Sequence, residues 1–274
     1  ITDVLLNSSS GGNQTTENLT AHISGVSDSD GDSITNITDW RVNGNSMAVL
    51  NMPFDTNTTD IAKDYSTFGN NGTLYGDTSW TSNGKIGGAY EFDGESEDYI
   101  LVPHDSSITF ESTDSFTLAA WIYLSSLPSS SWEGVISKAR NTDNWYGIWV
   151  STNPTWVFGM GDIGGDGYVN LHGSAAEIGW THVVVVQDVE TNTRSIYLDG
   201  SFDNSDTKTE DGNGTGALKI GGKVGSDAPF NGSIDNVQIF NRSLSAEQIK
   251  AMYQAGLNNH SVEKIVSQET EKGD

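Results

Sequence analysis

Apolar positions along this chain come in short runs, most of them alternating with polar ones and separated by Gly, Asn, Asp and Ser. That is the period-2 signature of half-buried strands joined by turns. Strand patterns fall at 90–92, 99–102, 116–124, 134–137, 145–150, 156–160, 181–188, 195–198, 217–220 and 232–240. The run Phe116–Leu124 is apolar on both faces, with Phe116, Leu118, Ala120 and Ile122 against Ala119, Trp121 and Tyr123. It predicts a central strand covered on both sides. Many short strands with tight turns such as Asp199-Gly200 predict an all-β, antiparallel sandwich. One helix is specified near the end: Ser245 and Gln248 make a capping box, Ile249, Met252 and Tyr253 share a face, and Gly256 predicts the stop.

The two ends are patterned differently. Residues 1–48 carry alternation at Leu19, Ala21 and Ile23, an acidic turn from Asp28 to Asp32, and a strand-like stretch over 37–42. Three or four strands are too few for a sandwich of their own. Residues 49–257 hold enough strands for one large domain. The tail 258–274 is polar except for a strand-like stretch over 262–266, and the chain reads as excised from something longer.

Charge narrows the partners. Across 274 residues, 37 acidic against 13 basic side chains give a net charge of −24, a field that repels phosphate backbones and anionic lipid alike. Nucleic acid is thereby excluded as an expected partner. Absence of cysteine removes disulfides, thiolate chemistry and Cys-ligated zinc. No apolar stretch approaches the ~20 residues that span a bilayer, so no membrane insertion is expected of this chain. Asn-x-Ser/Thr sequons at Asn7, Asn13, Asn18, Asn36, Asn57, Asn71, Asn213, Asn231, Asn241 and Asn259 point to glycosylation and to an extracellular or cell-surface location.

Catalytic signals are sparse. His22, His104, His172, His182 and His260 are scattered, and neither a zinc-protease helix motif nor a nucleophile elbow is present. Asp93, Glu95 and Glu97 have the spacing of carboxylates on one side of a strand, as in a glycosidase pair, but Phe92-Asp-Gly94 reads as a turn. No catalytic residue is assigned. For ligand binding, Trp132, Trp145, Trp149 and Tyr168 are candidate stacking platforms. In 144–149, Trp145 and Trp149 share a face opposite Tyr146, and Trp132, set among Ser129, Ser130, Ser131 and Glu133, is expected to be exposed. Asp28, Asp30 and Asp32 with Gly31 have the spacing of the first half of an EF-hand calcium loop. The twelfth position, however, is Asp39 rather than the bidentate Glu, and an Asx-turn network is the alternative.

Several blocks together carry a family resemblance: 84–94 (GKIGGAYEFDG), 98–104 (DYILVPH), 116–123 (FTLAAWIY), 134–138 (GVISK), 180–184 (WTHVV), 196–200 (IYLDG), 230–237 (FNGSIDNV) and 241–248 (NRSLSAEQ). In this order they resemble laminin-G-like, concanavalin A-like modules over about three quarters of the chain. The resemblance implies a jelly roll of two antiparallel sheets. It also implies a structural Ca2+ between the first and last strands, which would fall on Asp55 and Asp235. Residues 28–34 and 39–44 resemble the early strands of immunoglobulin-like modules in archaeal and bacterial surface proteins, and the tail 262–274 resembles the start of that module's other half. The expected function is a non-catalytic extracellular adhesion or binding module that recognises glycan or a cell-surface protein. The alternatives are a subunit of a surface layer or filament, joined to other copies of itself by edge-strand complementation, and a glycosidase on the same fold.

Overall fold

The computed structural model describes residues 3–8, 19–25, 27, 29, 36–95, 97–139, 144–162, 167–207, 210–222 and 228–257. The chain runs through β1 (Asp3–Ser8), β2 (Leu19–Ser24), β3 (Arg41–Val42), β4 (Asn45–Ser46), β5 (Leu50–Met52), β6 (Ile61–Ala62), β7 (Gly72–Tyr75), β8 (Ser79–Thr81), β9 (Ala89–Asp93) and β10 (Tyr99–Val102). It continues through β11 (Phe116–Leu124), β12 (Glu133–Lys138), β13 (Trp145–Val150), β14 (Thr155–Asp162), β15 (Gly167–Ala175), β16 (Gly179–Asp188), β17 (Thr193–Leu198), β18 (Ser201–Asp206), β19 (Leu218–Ile220), β20 (Asn231–Phe240) and α1 (Ala246–Leu257). One sheet has the order β15-β14-β13-β12-β19-β10-β7-β6, the other β18-β17-β16-β11-β20-β9-β8, with β5 also paired to β20. Every pairing is antiparallel, as the alternating pattern predicts for sheets with one face on a core.

The strand β11 is central to its sheet, between β16 and β20. Phe116, Leu118, Ala120, Ile122 and Leu124 enter the core between the sheets, against Ile136, Ile148, Phe158, Val183, Val185 and Ile234. On the outer face, Ala119 packs with Val184, Val186 and Phe240 beneath Leu244, Ile249 and Met252 of the closing helix and its approach. The strand is thus covered on both sides, as its two-faced apolar pattern predicts, with a sheet on one side and the helix on the other.

The capping box at α1 is formed, Gln248 N donating to Ser245 Oγ (3.3 Å) and Ser245 N to Gln248 Oε1 (2.9 Å). Gly256 is not the stop. It lies inside the last turn, where a Cβ would stand 2.5 Å from Trp121 Nε1, so its role is close helix-on-sheet packing. The strand expected over 37–42 shrinks to Arg41–Val42, because Asn43 and Gly44 take positive φ (52° and 86°) and turn the chain back onto Asn45–Ser46. At the N-terminus β1 and β2 pair with each other and with no other strand among the described residues. The stretch 262–266 lies outside the described residues.

Two buried charges brace the sandwich, one by anchoring a loop and the other by spanning the sheets. Lys138, fully buried at the end of β12, donates to the carbonyls of Gly214 (2.7 Å) and Gly216 (2.6 Å). Arg194 on β17 reaches across to the other sheet. Its guanidinium pairs bidentately with Asp206 (3.1 and 2.5 Å), donates to the Val169 carbonyl (3.1 Å) and lies over the Phe158 ring.

Candidate functional site

A β-bulge builds the first candidate site. Between Ala119 and Trp121 the register of β11 against β20 slips, with Asn236 in the left-handed region (φ 51°). The extra residue lets Ile234 and Val237 both face the core while Asp235 turns outward beside Trp121. Asp235 is nevertheless fully buried, with Oδ2 accepting from Ile86 N (2.8 Å) and Oδ1 left without a hydrogen-bond partner. Asp55 arrives from the other end of the sequence and accepts from Gly88 N on Oδ1 (3.2 Å), so both carboxylates grip one short segment. Gly87 between those amides has φ +63°, and a Cβ there would stand 2.1 Å from Asp55 Oδ1.

Burial raises Asp55 to about 6 and, with the added repulsion of Asp55, holds Asp235 well above the ordinary carboxylate value. Two poorly hydrated carboxylates that repel each other favour uptake of a proton or of a cation. The donor set suits a hard oxygen-seeking ion such as Ca2+, with backbone carbonyls and water completing 6 to 8 ligands, roughly. No third acidic or His side chain joins the pair among the described residues. Asp28, Asp30 and Asp32 lie outside the described residues. Asp39, at the EF-hand end position, is engaged internally by Arg41 Nε (2.6 Å) and Ser46 Oγ (2.7 Å).

The aromatic candidates separate sharply. Trp145 and Trp149 share a face as expected and meet edge to face at 5.8 Å. Both are buried, however, in a small cluster with Val157 and Ala228 on the outer face of β13 and β14, so neither is a stacking platform. Trp132 is half-buried at the margin of this cluster and sets its ring against His172 at 5.9 Å. The side chain of Tyr168 lies outside the described residues.

A second aromatic group, absent from the sequence candidates, lies further along the same sheet. Tyr75 of β7 and Tyr99 of β10 are paired residues whose rings stack at 4.8 Å and 19°, and Lys219 Nζ of β19 stands 3.5 Å from the Tyr99 centroid. Tyr75 is 41% exposed and Ile61 47%, so this end of the face is open. The signal was half present: in Tyr99–Val102 the alternation puts Tyr99 and Leu101 on one side. What they would meet across the sheet depends on register.

The remaining candidates have structural positions. The strand β9 ends at Asp93, so Asp93, Glu95 and Glu97 form no ladder; Asp93 Oδ1 accepts from Glu95 N (2.9 Å) across the turn at Gly94. A hydrogen bond from Asp98 holds Asp93 below its usual value, and burial raises Asp98. His104 Nδ1 contacts Lys138 Nζ (3.3 Å), His172 Nδ1 contacts Thr155 Oγ1 (3.1 Å), and His182 is buried beside Trp121. Of the sequons, Asn57, Asn71 and Asn241 are exposed; Asn36, Asn213 and Asn231 are half-buried. Asn213 has both amide atoms engaged, with Nδ2 donating to Glu111 and Oδ1 accepting from Asn144. The side chain of Asn7, and Asn13, Asn18 and Asn259 entirely, lie outside the described residues.

An open groove of about 980 Å³, counted out to solvent, runs between α1 and residues 37–40 over the outer face of β5 and β20. Its floor polar groups bond one another, Gln238 Nε2 to Asn51 Oδ1 (3.1 Å) and Asn51 Nδ2 to the Thr38 carbonyl (3.2 Å).

Comparison with known proteins agrees with this architecture. No curated protein sequence matches the chain. Among solved structures, the binding domain of Paraclostridial Mosquitocidal Protein 1 is similar, at 16% identity and a TM-score of 0.61 over 76% of this chain and 52% of that one. So is the botulinum neurotoxin serotype G binding domain, at 16% identity and 0.61 over 76% of this chain and 50% of that one. The chain therefore spans about half the length of these two. Domain 4 of AbnA, a GH43 extracellular arabinanase from Geobacillus stearothermophilus solved with arabinotriose, is similar over its whole length and 77% of this chain, at 18% identity and a TM-score of 0.58. At such identities the likeness is one of fold. Residues 93–250, more than half of the chain, match the laminin G-type family described as the Concanavalin A-like lectin/glucanases superfamily. With the two antiparallel sheets, the doubly covered β11 and the closing helix, this match places the chain in the concanavalin A-like lectin/glucanase superfamily as a laminin-G-like member.

Proposed function

We propose that this chain is a non-catalytic, extracellular glycan-binding module of a cell-surface protein. The observation that carries the reading is an open sheet face bearing a stacked tyrosine pair, with Tyr75 exposed and Tyr99 half-buried, and a cation, on a fold shared with an arabinanase domain solved with arabinotriose. Aromatic side chains offer apolar area to sugar C–H groups and polar edges to hydroxyls. Of the carboxylates that would serve a glycosidase, Asp93 is tied into the turn at Gly94, and the three form no ladder along a strand, which favours binding over hydrolysis. The sequons suit external exposure. A panel of immobilised oligosaccharides, arabinan fragments included, should retain the protein without being cleaved. Failure to retain it on any glycan would remove the reading.

Calcium is part of the proposal, as a structural ion on Asp55 and Asp235. Such an ion would engage the orphaned Asp235 Oδ1 and cancel the repulsion between the carboxylates. At a free concentration 100-fold above its dissociation constant it would add about 2.7 kcal/mol of stability. A chelator should therefore lower the melting temperature of the wild type at neutral pH and leave Asp235→Asn unaffected. Identical wild-type melting with and without the chelator would reject the ion.

A second reading, a subunit of a surface layer or filament, is favoured by one feature. The β1–β2 hairpin pairs with no other described strand and exposes Val4 and Leu5 (55% and 52%). Two strands alone are marginal, and free edges invite a strand from another chain, as in an immunoglobulin-like module completed in trans. Sedimentation of the full chain separates the readings. A monodisperse monomer at all concentrations counts against assembly, and concentration-dependent polymers support it.

A further inference from the structure

We infer that the outer face formed by β6, β7, β10 and β19 is the glycan subsite, and that it takes a sugar bearing a carboxylate, bound across the strands with its acid group on Lys219. This deepens the glycan-binding reading and rests on it. The register defines the surface. Ile61, Thr73, Leu101 and Lys219 are successive cross-strand partners and make one row, and Tyr75 and Tyr99 make the next. The alternate residues Ala62, Ile100 and Leu218 point into the core, so these six point away from it. No described element lies over Tyr75 or Ile61, as their exposure shows.

The chemistry of the row selects the ligand. Neighbouring strands are spaced roughly 4.8 Å apart, so an oligosaccharide laid across them meets Tyr75, Tyr99 and Lys219 in turn. The exposed Tyr75 ring supplies apolar surface, the phenol hydroxyls supply polar partners to neutral sugar units, and the ammonium supplies a charge-assisted donor at the end. Lys219 is held 3.5 Å from the Tyr99 centroid and makes no ion pair with a carboxylate among the described residues. Burial draws it below the usual lysine value, as expected of a cation that has lost water without gaining an anion. A cation–π contact is worth ~0.5–2 kcal/mol and leaves the N–H donors unfilled. The net charge of −24 sets a repulsive background for anions, but it is screened beyond about 8 Å at physiological salt. An acidic sugar is therefore drawn to a cation that stands without an ion pair, and the Glu97 charge that reaches Tyr99 sits on an exposed side chain, where salt screens it.

In the open groove beside α1, the floor amides of Asn51 and Gln238 are spent on each other and on the backbone.

The test is calorimetric titration of the full chain with a galacturonate trimer and with the neutral galactose trimer. The wild type should bind the acidic trimer at least tenfold more tightly. Lys219→Met should erase that preference, Lys219→Arg should keep it, and Tyr75→Ala should weaken both sugars about tenfold. Melting curves confirm that these surface variants fold, and Lys219→Arg guards against a general defect. Equal wild-type affinity for the two trimers overturns the acidic assignment. Glycan binding unchanged in both Lys219→Met and Tyr75→Ala overturns the site while leaving the module a glycan binder. No binding of any sugar overturns site and function together.

Discussion

Asp206→Ala should destabilise the protein by about 3 kcal/mol, among the largest losses expected of a single substitution outside the apolar core. The Arg194 side chain is fully buried, whereas that of Asp206 is 32% exposed. Removing the carboxylate strands a guanidinium between the sheets, with the Val169 carbonyl and the Phe158 face as its remaining partners. Breaking a buried pair from one side costs about 3–5 kcal/mol, and the exposure of Asp206 places this case at the lower end. For a domain of this size the melting temperature should fall by about 6–12 °C. The double variant Arg194→Met, Asp206→Ala removes both charges and should recover much of the loss. Urea unfolding of the three proteins measures it. A single-variant loss under 1 kcal/mol would mean that the guanidinium finds water, and that it is not shut in between the sheets as described.

Acid should weaken the fold through His182. Burial lowers its folded value to about 3 from the ordinary 6.5. Its ring packs on Trp121 (5.0 Å) and Tyr253 (6.1 Å), its backbone N–H donates to Asp199, and Lys85 lies over the far side of the Trp121 cluster. The unfolded chain takes up a proton on this imidazole below about pH 6.5, and the folded chain resists it until about pH 3. Stability is then complete above pH 6.5 and declines as pH falls through that window. At pH 4.5 the loss from this residue approaches 3 kcal/mol, two pH units at about 1.4 kcal/mol each. Asp55 and Asp235, raised by burial, act in the opposite sense, since the folded state holds their protons more tightly. The clean readout is the difference between wild type and His182→Phe, a curve that should be flat above pH 6.5 and diverge below it. Parallel curves from pH 7 to 4 would show that His182 is hydrated in the folded state.

What the sequence disclosed was mostly local. Alternation marked most of the long strands, and the capping box at Ser245 and Gln248 started α1 where it was expected. The pairing of Asp55 with Asp235 was legible only through the family resemblance, because the two residues are far apart in the chain and neither belongs to a compact motif. Tyr75, Tyr99 and Lys219 escaped for a related reason. They sit on three short strands from distant parts of the chain and become neighbours only when those strands pair. Trp145 and Trp149 were correctly placed on one face, yet whether that face met solvent rested on residues distant in the chain, Ala228 among them.

The all-β class, the central position of β11 and the closing helix were determined by sequence alone, because side-chain period and capping chemistry act within a few residues. Tertiary structure decided which tryptophans are covered, that a bulge at Asn236 turns Asp235 away from the core, and that a lysine stands beside a stacked tyrosine pair. Alternation tells a side chain which way to point. Strand register and the loops laid over each face, both products of distant contacts, decide what it meets there.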